Sequence, residues 1–474
     1  MRFLNRVDEL AFLRRRLASD RAELLIVYGR RRVGKTELLN HLATEVRSFV
    51  LEATETVKHE QLADFTAELA RVSGDDLLAR QSLTSWDAAL AAIARFVGKH
   101  RTLVVLDEFQ LLAKQAPELE SVLSRWWRTT GRTLPIVLVL AGSEISFFEN
   151  EVLAGRLYGR RTGQLKVDPF LARDAGLFHP AYSAQDRIRA FSVCGGVPYY
   201  LDRFTDDRPL PDHLLDEVFD RGGLLHDEAE LLLRQSLRDP AGHVAVLRSI
   251  ADGHNRNSTI AARTGLEPAT VTKLLRTLER LGLVEQQRPV TSSGRSKKTA
   301  YRVCDHFLRF HYRFVEPART RTRTRELAED YLRGVVLPQL DHHASSAWED
   351  VCREHVLLTF PEASRVGRWW GQAPTGDGRR TEEREIDIVG LDTQARVSVV
   401  GMCKWTASPV DFDELNLLDR LTPFVERGAQ PHRVLCSRSG FSPRLRAYAA
   451  DDDMLTLLTP EDVTTAPPST SRGA

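Results

Sequence analysis

The sequence has no apolar run long enough to cross a membrane, since stretches such as Leu134–Ala141 fall far short of the ~20 residues that a bilayer span requires. The opening Met-Arg-Phe-Leu-Asn also lacks the apolar core of a signal peptide, so no membrane partner and a cytoplasmic location are expected. Cysteine is scarce: Cys194, Cys304, Cys352, Cys403 and Cys436 show no CxxC spacing. That pattern speaks against a disulfide framework or a zinc site and for reduced, mostly buried thiols. Nor does one sign of charge dominate. With 66 Lys and Arg against 65 Asp and Glu, the net charge of +1 exerts no global pull toward nucleic acid, and any basic site must be local. What is there, 42% apolar and 28% charged residues, is the composition of a globular protein. At about 100–200 residues per domain, 474 residues imply several modules.

Residues 1–178 alternate helical periodicity with short apolar strands at Glu23–Tyr28, Ser48–Leu51, Thr102–Leu106 and Leu134–Ala141, which predicts an α/β core on a parallel sheet. Residues 179–238 read as a helical subdomain without strands. Residues 239–318 read as three short helices followed by a strand pair, and 335–462 as a second, mixed α/β domain. The Pro/Ser/Thr-rich stretch 463–474 has too few apolar residues to pack and is expected to be a disordered tail.

Gly29-Arg-Arg-Arg32-Val33-Gly34-Lys35-Thr36 fits G-x-x-x-x-G-K-[ST] and lies between an apolar strand and the helical run Glu37–Ala43, the context a phosphate-binding loop requires. The glycines let backbone N–H groups curl around phosphate at a helix N-terminus. Lys35 carries charge to the β- and γ-phosphates, and the Thr36 hydroxyl suits Mg²⁺. The predicted cofactors are therefore ATP and Mg²⁺. About seventy residues on, the buried strand Thr102–Leu106 ends in Asp107 and Glu108. Asp107 is placed to hold Mg²⁺ through water and Glu108 to act as the base on an attacking water. The strand ending at Gly142-Ser143 puts Ser143 either beside the γ-phosphate or in a plain turn.

These motifs resemble the prokaryotic, archaeal-type P-loop ATPases of the AAA-like and STAND branch, over nearly the whole chain. Phe3-Leu-Asn5-Arg6-Val-Asp-Glu9-Leu10 resembles the family's N-terminal box, which implies that Asn5 and Arg6 pack near the adenine. Leu157-Tyr158-Gly159-Arg160-Arg161 resembles its Leu-Tyr-Gly-Arg segment, where an arginine reaches phosphate within the chain or across a subunit interface. Arg160 is the first choice, with Arg156 and Arg161 as competitors, and a homo-oligomer stays open. Gly195-Gly196-Val-Pro198 resembles the Gly-Gly-x-Pro signature at the start of a lid helix, which implies nucleotide contact at Pro198.

The helical runs His243–Ala251, Ser258–Thr264 and Pro268–Leu281, with the strand pair Leu283–Val290 and Ala300–Val303, form the pattern of a winged helix-turn-helix. The third helix offers Thr270, Thr272, Lys273 and Arg276 to solvent, and Arg295, Lys297 and Lys298 stand at the wing tip. Residues 241–320 hold fourteen Lys or Arg against six Asp or Glu, a local excess that favours DNA phosphates as the partner. In similar ATPases such a domain can instead act only as an arm that senses nucleotide or binds protein; DNA is the favoured partner.

Further on, Trp348-Glu349, Arg384-Glu385-Ile-Asp387 and Met402-Cys-Lys404-Trp405 resemble the PD-(D/E)xK nuclease-like domain that follows these ATPases, a restriction-endonuclease-like fold. In an active member Asp and Glu hold Mg²⁺ and the Lys two residues after the Glu supports the attacking water. Here that Glu is Met402, a poor ligand for a hard cation. Either Glu349 or Glu385 replaces it, or the centre is a remnant in which Asp387 and Lys404 survive as an ion pair; the remnant is the favoured reading. The expected function is an ATP-binding and ATP-hydrolysing, nucleotide-dependent DNA-binding switch. The alternatives are an ATP-coupled, Mg²⁺-dependent nuclease and a signalling ATPase whose winged helix binds protein only.

Overall fold

The structure, a computed structural model, describes residues 3–155, 157, 159–237, 239–292, 299–374, 380–426, 428 and 430–464. The chain divides into two compact units, Met1–Pro169 and Phe170–Ala474. Among the described residues no helix is long and apolar enough to cross a membrane.

The first unit is built on a five-stranded parallel sheet in the order β2-β3-β4-β1-β5, with β1 Glu23–Tyr28, β2 Ser48–Glu52, β3 Thr102–Asp107, β4 Ile136–Gly142 and β5 Gly163–Lys166. Strands β1, β3 and β4 are central and buried along their whole length, as unbroken Leu, Ile and Val runs should be when helices cover both faces. Strands β2 and β5 lie at the edges and alternate buried or half-buried with more exposed positions. Helices α1 (Val7–Leu17) and α2 (Lys35–Ala43) bury Leu10, Leu13, Leu38, Leu39 and Leu42 against one face of the sheet, with Leu25, Val27 and Val105. Helices α3 (Lys58–Ser73) and α4 (Trp86–Val97) pack on the other, where Phe49, Phe65 and Trp86 meet. The sheet order places β4 between β1 and β3, so the segments after all three strands come out side by side at one end.

In the second unit helix α5 (Ala184–Cys194) ends at Gly195, and the short helix α6 (Pro198–Leu201) follows with Pro198 in its first turn. Helices α7 (Ala241–Ala251), α8 (Asn257–Thr264) and α9 (Pro268–Arg280) pack on one another and precede an antiparallel ribbon of β6 (Val284–Gln287) and β7 (Ala300–Val303). The long helix α10 (Leu337–Thr359) leads into a second sheet in the order β12-β11-β10-β9-β8. Its strands are β8 Arg365–Pro374, β9 Thr381–Leu391, β10 Val397–Lys404, β11 His432–Ser437 and β12 Leu455–Leu458. The first three run antiparallel and the last three parallel, with α11 (Phe412–Val425) and α12 (Pro443–Ala450) as the crossovers. Residues 463 and 464 were expected in the tail; instead Val463 and Thr464 are buried at the end of the helical turn Pro460–Thr464. The remainder of that tail lies outside the described residues.

Candidate functional site

At the exit of β1 the chain must pass close under Val167. A Cβ on Gly29 would stand 2.2 Å from the Val167 carbonyl oxygen, so only glycine fits. The loop then closes through two left-handed residues, Arg32 at φ 69° and Gly34 at φ 87°, the second capping α2. Arg6 braces the loop from below. Its guanidinium is 5% exposed and donates to the Val33 carbonyl at 2.7 Å, to the Asp168 carbonyl at 2.9 Å and to Glu9 at 2.6 Å. Asn5 and Arg6 both take left-handed backbone, which turns the chain into α1. Arg6 is thus a support of the loop's backbone.

Lys35 and Thr36 open α2, and Glu37 completes its first turn. Lys35 is only 5% exposed and its Nζ donates to the Arg30 carbonyl at 2.9 Å. Burial pulls its pKa down, opposed by the charges of Glu108 and Asp107. The Thr36 hydroxyl donates to Asp107 Oδ2 at 2.6 Å, while Asp107 Oδ1 accepts the Glu108 N–H at 2.8 Å. Burial pushes the Asp107 carboxyl up against the pull of those two hydrogen bonds. Glu108 adopts left-handed backbone, φ 50°, which swings its side chain off the strand axis. Its Oε2 accepts the Ser143 hydroxyl at 2.8 Å and the Gln110 amide. Gln110 is 2% exposed, and its seat exists because Gly142 has no side chain: a Cβ there would meet Gln110 Oε1 at 2.0 Å.

Two of these residues escaped the sequence reading. Gln110 follows Glu108 by two positions, and its role depends on β4 being the neighbour of β3. Glu52, the register partner of Asp107 at the end of β2, joins the acidic group; burial, then Asp107, Glu108 and Glu37, push its carboxyl up. This donor set fits the groups that the loop implies. Thr36 and Asp107 present hard oxygen ligands suited to Mg²⁺, and the glycine cradle with the Lys35 ammonium suits a polyphosphate.

Of the arginines, Arg160 is half-buried in a turn where its N–H donates to the Leu157 carbonyl at 3.0 Å. Arg161 gives its guanidinium to the Leu153 carbonyl at 3.0 Å. Arg156 and Tyr158 lie outside the described residues. Pro198 belongs to the second unit and is buried behind a tight approach, where a Cβ on Gly196 would stand 1.8 Å from the Phe170 carbonyl oxygen.

On the winged helix, Val271, Leu275 and Leu278 of α9 are buried and Thr270, Lys273 and Arg276 are exposed. Thr272 instead ties α9 to α8 by accepting the Asn257 amide at 3.0 Å. Arg295, Lys297 and Lys298 lie outside the described residues.

In the second sheet, Asp387 on β9 turns its Oδ2 to the N–H of Cys403 on β10, 2.9 Å away. Burial, then the neighbouring Cys403 and Glu349, push its carboxyl up to about 8. The expected pair between Asp387 and Lys404 is not what forms: Lys404 bridges at 3.2 Å to Glu414 of α11, the crossover helix that packs against β10. Glu349 faces Arg353 at 3.5 Å, and Glu385 takes Arg368 at 2.7 Å. Met402 is 5% exposed and packs in the core with Leu415 and Leu418. A cleft of about 920 Å³ opens over this centre, lined by Glu385, Asp387 and Lys404 and, from the winged helix, by Asn255, Arg256 and Gln287.

Comparison with known proteins agrees with the first unit's geometry. Residues 3–204 match the model of an ATPase domain predominantly from Archaea, residues 244–288 that of an IclR helix-turn-helix domain, and residues 311–415 that of archaeal and bacterial proteins of unknown function. An uncharacterized protein of Methanocaldococcus jannaschii is 25% identical over 418 residues, which is 85% of this chain and 87% of the relative. An uncharacterized ATP-binding protein of the same organism is 57% identical over 37 residues, 8% of this chain and 63% of its own length. The solved Walker-type ATPase Paby2304 of Pyrococcus abyssi superposes with a TM-score of 0.50 at 19% identity, over 66% of this chain and 96% of that one, a likeness of fold. Residues 3–204 are thus an archaeal-type ATPase domain, and residues 244–288 a helix-turn-helix of the IclR type.

Proposed function

We propose that the chain binds and hydrolyses ATP and uses the nucleotide state to control engagement of DNA by its winged helix. The observation that carries the first half is the convergence of Lys35, Thr36, Asp107 and Glu108 at one end of the first sheet. Thr36 and Asp107 would hold Mg²⁺, which when bound supplies charge neutralisation on the phosphates. Lys35, already poor in water, adds a charge-assisted contact to the same phosphates. Glu108 accepts the proton of the attacking water, and Ser143 and Gln110 hold its carboxylate in a defined orientation before that step. Asn5 and Arg6 fix the loop and the adenine side, while Pro198 enters with the lid helix. Arg160 is the phosphate-reaching arginine.

The exposed face of α9, with Thr270, Lys273 and Arg276, and the wing residues Arg295 and Lys297 are the DNA contacts, in keeping with the helix-turn-helix type and with the local excess of positive charge.

For residues 335–462 we favour a nuclease-like domain retained for binding. The helix α10 followed by three antiparallel strands and a parallel crossover supports the restriction-endonuclease-like reading. Each candidate for the missing acid, however, is already engaged, Glu349 by Arg353 and Glu385 by Arg368, while Lys404 is drawn to Glu414. The test is phosphate release from ATP by the full chain with and without Mg²⁺, beside a duplex-cleavage gel. Mg²⁺-dependent release without cleavage is expected; absence of release would sink the ATPase reading, and cleavage the binding-only one.

A further inference from the structure

Cys352, Cys403 and Cys436 are distant in sequence, yet the fold brings them to one point. Cys403 and Cys436 are register partners on the adjacent parallel strands β10 and β11, so both side chains leave the same face of the sheet. That face is the one opposite to Met402 and Lys404, because successive residues alternate. Helix α10 packs against β10 and brings in Cys352. The three Sγ atoms all lie within 4.8 Å of one another. All three thiols of the cluster are enclosed, although Cys403 as a whole residue is half-buried. Cys194 and Cys304 stand outside the group.

We propose that Cys352, Cys403 and Cys436 form a three-thiolate site for a soft, thiophilic ion. Thiolate sulfur selects soft ions such as monovalent copper over the hard cations that suit carboxylate and water. With metal–sulfur bonds of about 2.3 Å, three ligands in a plane stand roughly 4 Å apart, so the cluster needs to close by less than about 1 Å. Among the described residues no further His, Cys, Asp or Glu completes the group. Structural zinc takes four ligands almost without exception, so a three-sulfur set fits an ion satisfied by three. Each thiol that binds monovalent copper releases its proton to solvent, whereas with trivalent arsenite the three thiol protons leave with its three oxygens as water; no electron changes hands in either case. The occupied site ties α10 to β10 and β11 on the face opposite to the cleft. The inference is independent of the ATPase and DNA-binding readings.

The experiment uses the full chain, reduced and stripped of metal, under anaerobic conditions. Monovalent copper held by a chromophoric competitor, trivalent arsenite and Zn²⁺ are offered in separate arms, and ion retained after desalting is counted. One equivalent of copper or arsenite per chain is expected, with a raised Tm on loading; the arm that loads identifies the ion. Retention should fall at least tenfold in Cys436→Ala and stay unchanged in Cys194→Ala and Cys304→Ser. Should Cys436→Ala fail to fold, Cys403→Ser at the half-buried position gives the same readout. Retention unaltered in either cluster variant, no retention in any arm, or stoichiometric binding of Zn²⁺ alone would overturn the proposal.

Discussion

The end of the first sheet and the cleft over the second each bring a lysine together with acidic side chains, and they differ in what surrounds the charges. In the first unit Asp107 and Glu108 are held by the Thr36, Ser143 and Gln110 side chains, neutral hydrogen-bond donors that position a carboxylate without neutralising it. In the second unit Glu385 and Glu349 face arginines, Lys404 faces Glu414, and the remaining position is an apolar Met402. The residue types are similar. The difference teaches that a site able to take a cation and a phosphate is recognised by charges left for the ligand, a property of partners and of the chain's path more than of the residues themselves.

If that contrast is right, changes at the first site remove ATP turnover and changes at the second leave it intact. Glu108→Gln should show the largest effect, a fall in turnover of about 10²–10⁴-fold with ATP affinity kept, read from phosphate release beside equilibrium binding. Lys35→Ala should weaken ATP binding by roughly a hundredfold through loss of a buried charge-assisted contact; tight binding retained in that variant would remove Lys35 from the phosphates. Replacing Lys273 and Arg276 together by Ala should lower duplex affinity about tenfold and flatten its salt slope by about one for each phosphate that is no longer neutralised.

The buried charges of the second unit predict smaller, structural effects. Burial pushes the Glu354 carboxyl up to about 8. A carboxyl raised in the folded state contributes stability below its unfolded pKa and loses it as pH rises through the folded one. Glu354→Gln should therefore gain on the wild type by roughly 1 kcal/mol per pH unit between about pH 5 and 8, and level off above that. Thermal melts of the two proteins across that range would show it, and a constant difference would contradict it. The smallest effect is expected from Met402→Leu, a cost of less than about 1.5 kcal/mol with ATP turnover unchanged. A loss of turnover there would break the contrast between the two sites.

How much of this was legible in the sequence follows the range of each interaction. The strands of the first sheet were readable at β1 to β4 because their apolar runs are local, as was the loop between β1 and α2. Strand β5 was not: four alternating residues at a sheet edge carry little apolar weight. Gln110 and Glu52 acquire their places only through the order β2-β3-β4, which no local pattern specifies. The clustering of Cys352, Cys403 and Cys436 and the capture of Lys404 by Glu414 likewise depend on how α10 and α11 cross the second sheet.

The most direct test of the account is binding of a labelled mixed-sequence duplex by the full chain in Mg²⁺, over a salt series, with and without a non-hydrolysable ATP analogue. The account predicts salt-dependent binding whose affinity shifts when the analogue is present. Absence of binding at every salt concentration, or binding indifferent to the analogue, would contradict it.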